Sequence, residues 1–433
     1  MSALISAGQL ILALSLLVVI HEFGHYIACR IFGIRVNKFY IFFDPWFKIW
    51  SKKIGDTEFG IGWLPLGGYV KIAGMIDESL DTKQLKKEPQ EWEFRSKPAW
   101  QRLIVMLGGV IMNVIAAFII LTMSHLVHTK SYLPVENVKE GIYAYPYARF
   151  LGFESGDKVI AIDGDETIRY EDVFSTKLYF AETVTVLRDK DTVDLTMTDT
   201  LYSFLKNGGK LITLENYEFT IDSLVADMPA DKAGIKPGSK ILSIDNRPIN
   251  TFGELREVLM LEKGKEMSFV VDSKVSVDTF DIMIDSTGKM GIYTSFPVFE
   301  TKEYTLRTAM KYGWSDAFES LNANIKGFGL IFSGKEKARD NLQGPIGIAK
   351  AYGGVWDWSK FWRLTGIISM ILAFVNILPI PALDGGHAMF LMIEAITRRK
   401  LSDKFMEVVQ IIGMVILLAL MVFVIGNDII NLF

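Results

Sequence analysis

Four long stretches of this sequence contain no Asp, Glu, Lys or Arg, and they dominate its pattern of hydrophobic and polar positions. They cover residues 1–20, 103–127, 364–383 and 408–426. Each approaches the roughly 20 apolar residues that an α-helix needs to cross the hydrocarbon core of a bilayer. The pattern therefore predicts four transmembrane helices with polar segments between them.

The charged residues beside these stretches predict how the chain crosses the membrane. A cleaved signal peptide begins with basic residues, but here the basic residues follow the first stretch, so we interpret it as a retained span. Lys and Arg also precede the second stretch and lie between the third and fourth, which places those loops in the cytoplasm by the positive-inside rule. Both termini and residues 128–362 are then expected outside, in an extracytoplasmic compartment.

The long polar segment contains an internal repeat. The residues from Glu154 to Gly164 return in diverged form from Lys236 to Asn246. Each copy combines a glycine-containing turn, a short apolar strand and an Asp-Gly or Asp-Asn turn, which predicts two copies of a small β-rich module. Residues 233–246 resemble the PDZ domain of bacterial membrane and periplasmic proteases, and residues 251–259 resemble its following helix. The first copy is the more diverged.

Composition narrows the chemistry that the chain can carry. Of 433 residues, 50% are hydrophobic and 22% are charged, and the formal net charge is -4. This balance offers no basic surface for nucleic acid, which we therefore exclude as a partner. Cys29 is the only cysteine, so an internal disulfide and any cysteine-rich metal site are excluded. Histidines and carboxylates must supply the ligands of any bound metal.

The motif His21-Glu22-Phe23-Gly24-His25 directly follows the first apolar stretch. Residues four apart share one face of a helix, so both imidazoles can bind one metal ion. Glu22 lies one position round the helix, where its carboxylate can reach a water on that ion. The alternative is a pair of histidines that only cap a span, but ionisable residues in spans are usually functional.

A third ligand is expected, because catalytic zinc generally has three protein ligands and an open position for water. Asp384 is the acid that directly follows the third stretch, where an unpaired carboxylate would be costly. Pro379 and Pro381 before it, and two glycines after it, predict irregular backbone beside a cavity. His387 is a rival ligand about one helical turn further on, and we favour Asp384.

A glycine-rich segment between the first two stretches predicts a β-hairpin. Residues 60–74 contain five glycines interleaved with Trp63, Tyr69 and Val70. Glycines in strands often mark a backbone that passes close to another group. The residues alone leave open whether this hairpin lines a cavity at membrane depth or is an ordinary cytosolic hairpin.

Three motifs together resemble the bacterial RseP-type site-2 protease family. They are the His-Glu-x-x-His motif, Pro-Leu-Gly-Gly-Tyr-Val-Lys at 65–71, and Asn-x-x-Pro-x-Pro-x-Leu-Asp-Gly-Gly at 376–386. With the two PDZ-like modules, the resemblance covers nearly the whole chain. It implies that Zn²⁺ is bound by His21, His25 and Asp384, and that Glu22 is the catalytic base.

The resemblance also implies which residues contact substrate. Asn376 would help to hold it, and the membrane-associated hairpin would pair with an unwound substrate helix through Gly67, Gly68 and Tyr69. The family commonly has Gly-Pro-x-x-Asn in the second span, where this chain has Gly-Val-Ile-Met-Asn at 109–113. Asn113 is kept and is a further candidate substrate contact, so the missing proline affects the expected helix shape only.

The predicted fold is a polytopic α-helical membrane protein with four transmembrane helices. A membrane-associated β-hairpin region lies between helices 1 and 2, and two β-rich PDZ-like domains are inserted between helices 2 and 3. The predicted parts are an N-terminal membrane part (1–127), a first and diverged PDZ-like domain (128–215), a second (216–298), a linker with amphipathic segments (299–362) and a C-terminal membrane part (363–433).

The function implied by the resemblance is intramembrane zinc-dependent proteolysis. The expected substrates are single-span membrane proteins, an anti-sigma factor or a remnant signal peptide, which an upstream site-1-type protease has trimmed. Membrane lipid is the other expected partner. A transporter or channel is one alternative, but the spans reveal no inverted repeats. An inactive PDZ scaffold is the other, and it would lack a metal ligand or Glu22, none of which is missing.

Overall fold

The chain divides into two compact units in the computed structural model, which describes residues 2–65, 67–75, 88–295, 297–399 and 401–430. The membrane unit contains Met1–Lys130 and Tyr304–Phe433, and the inserted unit contains Ser131–Glu303. Within the described residues, four helices are long and apolar enough to cross a membrane, and all four belong to the membrane unit. The four predicted apolar spans are thus confirmed as helices.

The first part of the membrane unit consists of two long helices with a sheet between them in sequence. Helix α1 covers Ser2–Ile31 and helix α2 covers Ala99–Ser124, after which a π-helical turn continues over His125–Thr129. The strands are β1 (Val36–Ile41), β2 (Phe43–Ile54), β3 (Thr57–Leu64) and β4 (Tyr69–Ile72).

The sheet corrects the prediction of a hairpin over residues 60–74. Its order is β2-β3-β1-β4, so β3 and β4 do not pair with each other but with opposite edges of β1. The reason is the burial of β1, whose Tyr40 is fully buried at the centre of the sheet. Gly60 of β3 leaves room for that ring, since a Cβ there would lie 2.4 Å from it. The hairpin of this sheet is β2–β3.

The inserted unit is built of short strands and helices. Its first half contains β5 (Ser131–Tyr132), β6 (Tyr143–Ala144), α3 (Pro146–Phe150), β7 (Lys158–Ile162), β8 (Asp165–Glu166), α4 (Tyr170–Val173), α5 (Thr176–Tyr179), β9 (Thr183–Arg188), β10 (Asp191–Thr196), α6 (Leu201–Lys206) and β11 (Ile212–Thr213). Its second half contains β12 (Ile221–Leu224), α7 (Pro229–Lys232), β13 (Lys240–Ile244), β14 (Arg247–Pro248), α8 (Phe252–Leu261), β15 (Glu266–Asp272), β16 (Val277–Met283), β17 (Ile292–Thr294) and β18 (Lys302–Glu303).

The sequence repeat is also a structural repeat. The two four-stranded sheets have the equivalent orders β8-β7-β9-β10 and β14-β13-β15-β16. Asp163 and Asp245 begin the same turn in each copy, with φ of 50° and 47°, and their N–H groups donate to Thr183 O and Ser268 O at 2.9 Å. Each sheet covers its own cluster of buried apolar residues, so the unit contains two similar β-rich modules.

The chain returns to the membrane unit through six helices. They are α9 (Leu306–Phe332), α10 (Ala338–Asn341), α11 (Pro345–Tyr352), α12 (Trp358–Ile377), α13 (Asp384–Thr397) and α14 (Asp403–Ile430). Helix α9 occupies much of the region predicted as a linker, and its Ala317 packs into a buried cluster with Ala117 and Leu121 of α2. Helix α12 ends at Ile377, within the third apolar stretch, because Pro379 and Pro381 cannot continue a helix, as their positions predicted.

Candidate metal centre and active site

The motif at 21–25 lies in the last third of α1, and the helix brings its two histidines together. The Nε2 atoms of His21 and His25 are 3.3 Å apart, and the rings meet edge to face. His25 is buried, and Glu22 lies on the adjoining part of the helix surface. The spacing of four residues therefore has the consequence expected from helix geometry.

Asp384 reaches the same point from the first residue of α13. Its Oδ2 is 3.1 Å from His21 Nε2 and 3.2 Å from His25 Nε2. The backbone that precedes Asp384 passes very close to the two residues that follow it, so both have to be glycine. A Cβ on Gly385 or on Gly386 would lie 2.3 Å or 2.4 Å, respectively, from a carbonyl oxygen of that backbone. Ala382 is held at φ 77°, a conformation that a residue with a side chain adopts rarely.

The three converging atoms fit a metal ion. Four ligands at zinc distances of roughly 2.0–2.1 Å in a tetrahedron stand about 3.3 Å apart, and the three atom pairs here are separated by 3.1–3.3 Å. Asp384 Oδ2 is buried, yet within the described chain it has no hydrogen bond of proper geometry. All three atoms can offer a lone pair, so a shared cation satisfies each of them.

Helix α2 packs against the rings of the two histidines. Nδ1 of His25 is 2.8 Å from the carbonyl oxygen of Val105, which can only accept, so Nδ1 carries the proton and Nε2 is free to bind metal. The Asn113 amide is 3.2 Å from His21 Nδ1. Gly109 lies between these contacts, and a Cβ there would lie 2.5 Å from both His21 Cε1 and His25 Nε2.

A cavity of about 560 Å³ opens beside the metal-binding atoms. Of the predicted site residues, those that line it are His21, Glu22, His25, Gly68, Tyr69, Asn376 and Asp384. Gly67 and Asn113 are not among its lining residues, within the part of the chain that the structure describes. His387, the rival ligand, lines the cavity but does not belong to the metal-binding group found among the described residues.

The sheet forms one wall of this cavity through β4. A Cβ on Gly68, directly before β4, would lie 2.8 Å from Tyr40 O and 3.3 Å from Glu22 Cγ, so glycine lets the chain approach Glu22 as it enters the strand. The Tyr69 hydroxyl donates to Asp44 at 2.9 Å. Burial raises the pKa of Tyr69, and the hydrogen bond to Asp44 raises it further, so the phenol stays protonated. The hydroxyl therefore remains a donor at any physiological pH.

Sequence reasoning missed several residues that surround the site. Val105 acts through its backbone carbonyl, which leaves no signature in the residue type. Gln410 and Met414 of α14 line the cavity, and their spacing of four residues on an apolar helix was the available signal. Buried Gln410 is the more informative of the two, because a polar side chain inside an apolar helix usually has a partner.

A carboxylate one residue from a metal-binding histidine pair is an arrangement suited to peptide hydrolysis. Here Glu22 and the histidine pair lie on α1, a helix long and apolar enough to cross a membrane, and Asp384 follows the turn after a second such helix, α12. Fold and site together define the class of membrane metallopeptidases.

Comparison with known proteins gives the family. The model of Peptidase family M50 matches residues 9–420, and the chain belongs to this family. It is a metalloendopeptidase of the site-2 type, which decides against the channel and the inactive scaffold.

The similarity to known relatives extends over nearly the full length of the chain. The regulator of sigma E protease of Haemophilus influenzae is 30% identical over 100% of both chains. The regulator of sigma-E protease RseP of Escherichia coli is 26% identical over 99% of each. A protein of Neisseria meningitidis named a zinc metalloprotease is 25% identical over 98% of each.

Proposed function

We propose that this protein hydrolyses peptide bonds within the transmembrane segments of single-span membrane proteins that have already been trimmed. The observation that carries the proposal is the position of the three metal-binding residues relative to the apolar helices. His21 and His25 come from the apolar helix α1, and Asp384 begins α13, directly after the short turn that follows the apolar helix α12. This position supports cleavage of a substrate's transmembrane segment, which would approach the metal-binding group from among the membrane helices.

We assign zinc as the cofactor, with His21, His25 and Asp384 as its ligands. Zinc supplies acidification of a bound water and polarisation of a carbonyl group. The Glu22 carboxylate accepts the proton of the attacking water and delivers it to the leaving amide nitrogen. Its position one residue from His21, beside the cavity, supports this role.

A substrate helix has to unwind before its backbone is accessible, and β4 offers replacement hydrogen bonds. β4 is at an edge of the sheet and pairs with β1 on its other side; Tyr69 of β4 and Gly68 directly before it line the cavity wall. An extended substrate segment can add to this edge as a further strand. Asn376 lies on the lining of the same cavity and supplies amide hydrogen bonds from α12. Gly67 contributes by letting the chain enter β4 at φ 153°.

The substrate class follows from the relatives rather than from the cavity. Two relatives are named regulators of sigma E, which supports an anti-sigma factor as one substrate. A remnant signal peptide has the same single-span chemistry. Trimming by an upstream site-1-type protease precedes both reactions, because a bulky outer domain cannot enter a cavity of about 560 Å³.

The orientation proposed from loop charge puts the inserted unit in the periplasm and the catalytic cavity toward the cytoplasmic face of the inner membrane. We assign the two β-rich modules of the inserted unit as PDZ-like domains, at residues 128–215 and 216–298. The equivalent strand orders of the two sheets support that division.

The test uses the purified full chain and a tagged single-span substrate in detergent, with and without a chelator. The expected result is one cleavage inside the apolar segment, located by mass spectrometry, which stops with chelator and resumes when zinc is added back. The Glu22→Gln protein is the matched control for contaminating proteases. Cleavage outside the apolar segment, or cleavage that survives the chelator, would contradict the proposal.

A further inference from the structure

Three residues of α2 at intervals of four face the two histidines. Val105, Gly109 and Asn113 lie on one side of the helix, and all three approach the rings of His21 and His25. The Val105 carbonyl oxygen accepts a hydrogen bond from one ring, and Gly109 leaves space for both rings. Asn113 is the only one of the three whose side chain can interact with a ring, so its role can be tested by substitution.

The position of Asn113 does not suit a substrate contact. The residue is fully buried and is absent from the cavity lining in the described chain. Its backbone carbonyl accepts a hydrogen bond of 2.8 Å from the buried Ser369 hydroxyl of α12. The amide therefore has a fixed position between two helices, directly behind His21.

The proton on His21 decides which amide atom faces the ring. Nε2 of His21 converges with His25 and Asp384, so Nε2 must keep its lone pair free and Nδ1 must carry the proton. A protonated Nδ1 needs an acceptor. With Nδ2 toward the ring, two donors would face each other and Oδ1 would stay buried without a partner, as it is among the described residues. Rotating the amide by half a turn brings Oδ1 to Nδ1.

We propose that Asn113 is a positioning residue whose Oδ1 accepts a hydrogen bond from the Nδ1–H group of His21. It thereby fixes the tautomer and ring orientation in which Nε2 binds metal, as Val105 does for His25. The proposal rests on the ligand set proposed above. It also gives Gly109 and Asn113 one joint role, because glycine admits the rings to the face of α2 on which the amide lies.

The test compares Asn113→Ala, Asn113→Asp and Asn376→Ala in the purified full chain. Zinc affinity is measured by competition with a chromophoric chelator, and the cobalt-loaded proteins are compared by visible absorption. Loss of the acceptor in Asn113→Ala should weaken zinc binding by roughly 10–100-fold. Asn113→Asp keeps the shape and offers only acceptors, so it should retain the parent affinity and cobalt spectrum. Asn376→Ala should bind zinc as the parent does and change KM alone.

Two results would overturn the proposal. If Asn113→Ala binds zinc normally and only KM rises, Asn113 is a substrate contact. If Asn113→Asp loses zinc as severely as Asn113→Ala, the amide does not act as an acceptor. His21→Ala tests the ligand set separately: unchanged zinc affinity in that variant would remove the basis of the proposal. Failure to cleave a membrane substrate would affect only the proposed function, because zinc affinity is measured without substrate.

Discussion

Gly24 of α1 and Gly108 of α2 face each other where the two helices cross. A Cβ on Gly24 would lie 2.2 Å from the carbonyl oxygen of Gly108, and a Cβ on Gly108 would lie 2.7 Å from that of Gly24. The neighbouring residues, His25 and Gly109, are in the metal centre. This crossing therefore sets how closely α2 approaches the two histidines.

Gly24→Ala is expected to lower stability by about 1–3 kcal/mol, since a rigid backbone atom opposes the new methyl group. It should also weaken zinc binding, because α2 must move away from the rings. Gly8→Ala is the matched control on the same helix, where nothing lies within 4 Å of the added Cβ. Thermal unfolding in detergent and zinc content measure both effects. Equal behaviour of the two variants would show that the crossing does not control the site.

Glu22→Gln should remove turnover while leaving the fold and the zinc content nearly unchanged. The side chain is assigned to proton transfer and not to ligation, and glutamine has the same shape without basicity. Metal analysis and cleavage of a tagged substrate are measured on the same preparation. An appreciable residual rate would refute the assignment of Glu22 as the base.

Asp384→Asn should weaken both zinc binding and activity, because a neutral amide replaces the only anionic ligand. His387→Ala should keep one zinc per chain, since His387 lines the cavity without joining the three converging atoms. Metal content of the two purified variants is the deciding measurement. Zinc lost from His387→Ala but retained by Asp384→Asn would reverse the choice of ligand.

The sequence predicted the parts of the molecule that depend on local pattern. Apolar length identified the four spanning helices, and helical spacing brought His21 and His25 together. Contacts between distant segments were less accessible. The pairing of β3 with β1 depends on the burial of Tyr40, and no residue type between 60 and 74 indicates this pairing. Residues 299–362 were predicted as a linker with amphipathic segments, and the length of α9 within it, Leu306–Phe332, was not predicted.

The predicted orientation can be tested with two single cysteines in a Cys29→Ala background. Lys52→Cys lies on the exposed part of β2, and Asn207→Cys follows α6 in the inserted unit. An impermeant thiol reagent applied to intact spheroplasts should label position 207 and leave position 52 unlabelled. Permeabilised cells, in which both should react, are the control. Labelling of position 52 alone would reverse the topology.

Replacing residues 140–295 with a flexible Gly/Ser linker tests what the inserted unit does. The retained ends stay joined, because β5 pairs with β18, Lys302 contacts Glu136 at 2.7 Å, and Asn137 donates to Glu300 O at 2.6 Å. We expect the variant to cleave trimmed substrates as before and to begin cleaving intact ones. This outcome follows if the two modules exclude bulky substrates by size.

The opposite role, recruitment of substrate tails, predicts loss of cleavage in the same variant. Tethering raises the effective concentration of a substrate, and that advantage disappears with the modules. Zinc content and thermal unfolding of the variant are measured first. A folded and zinc-loaded variant that cleaves neither form of substrate would favour recruitment over exclusion.

The strand pair β5–β18 has a consequence for how the membrane helices assemble. Its ends are held at the strand spacing of about 4.8 Å, and directly beyond it Tyr304 N–H donates to Lys130 O at 2.8 Å. Closing a long disordered loop would cost conformational entropy before α12 and α13 could pack against α2. A folded insert replaces that loop by a short fixed connection. During synthesis, the folded inserted modules therefore hold the start of α9 close to the end of α2, so that the C-terminal helices form beside the N-terminal ones.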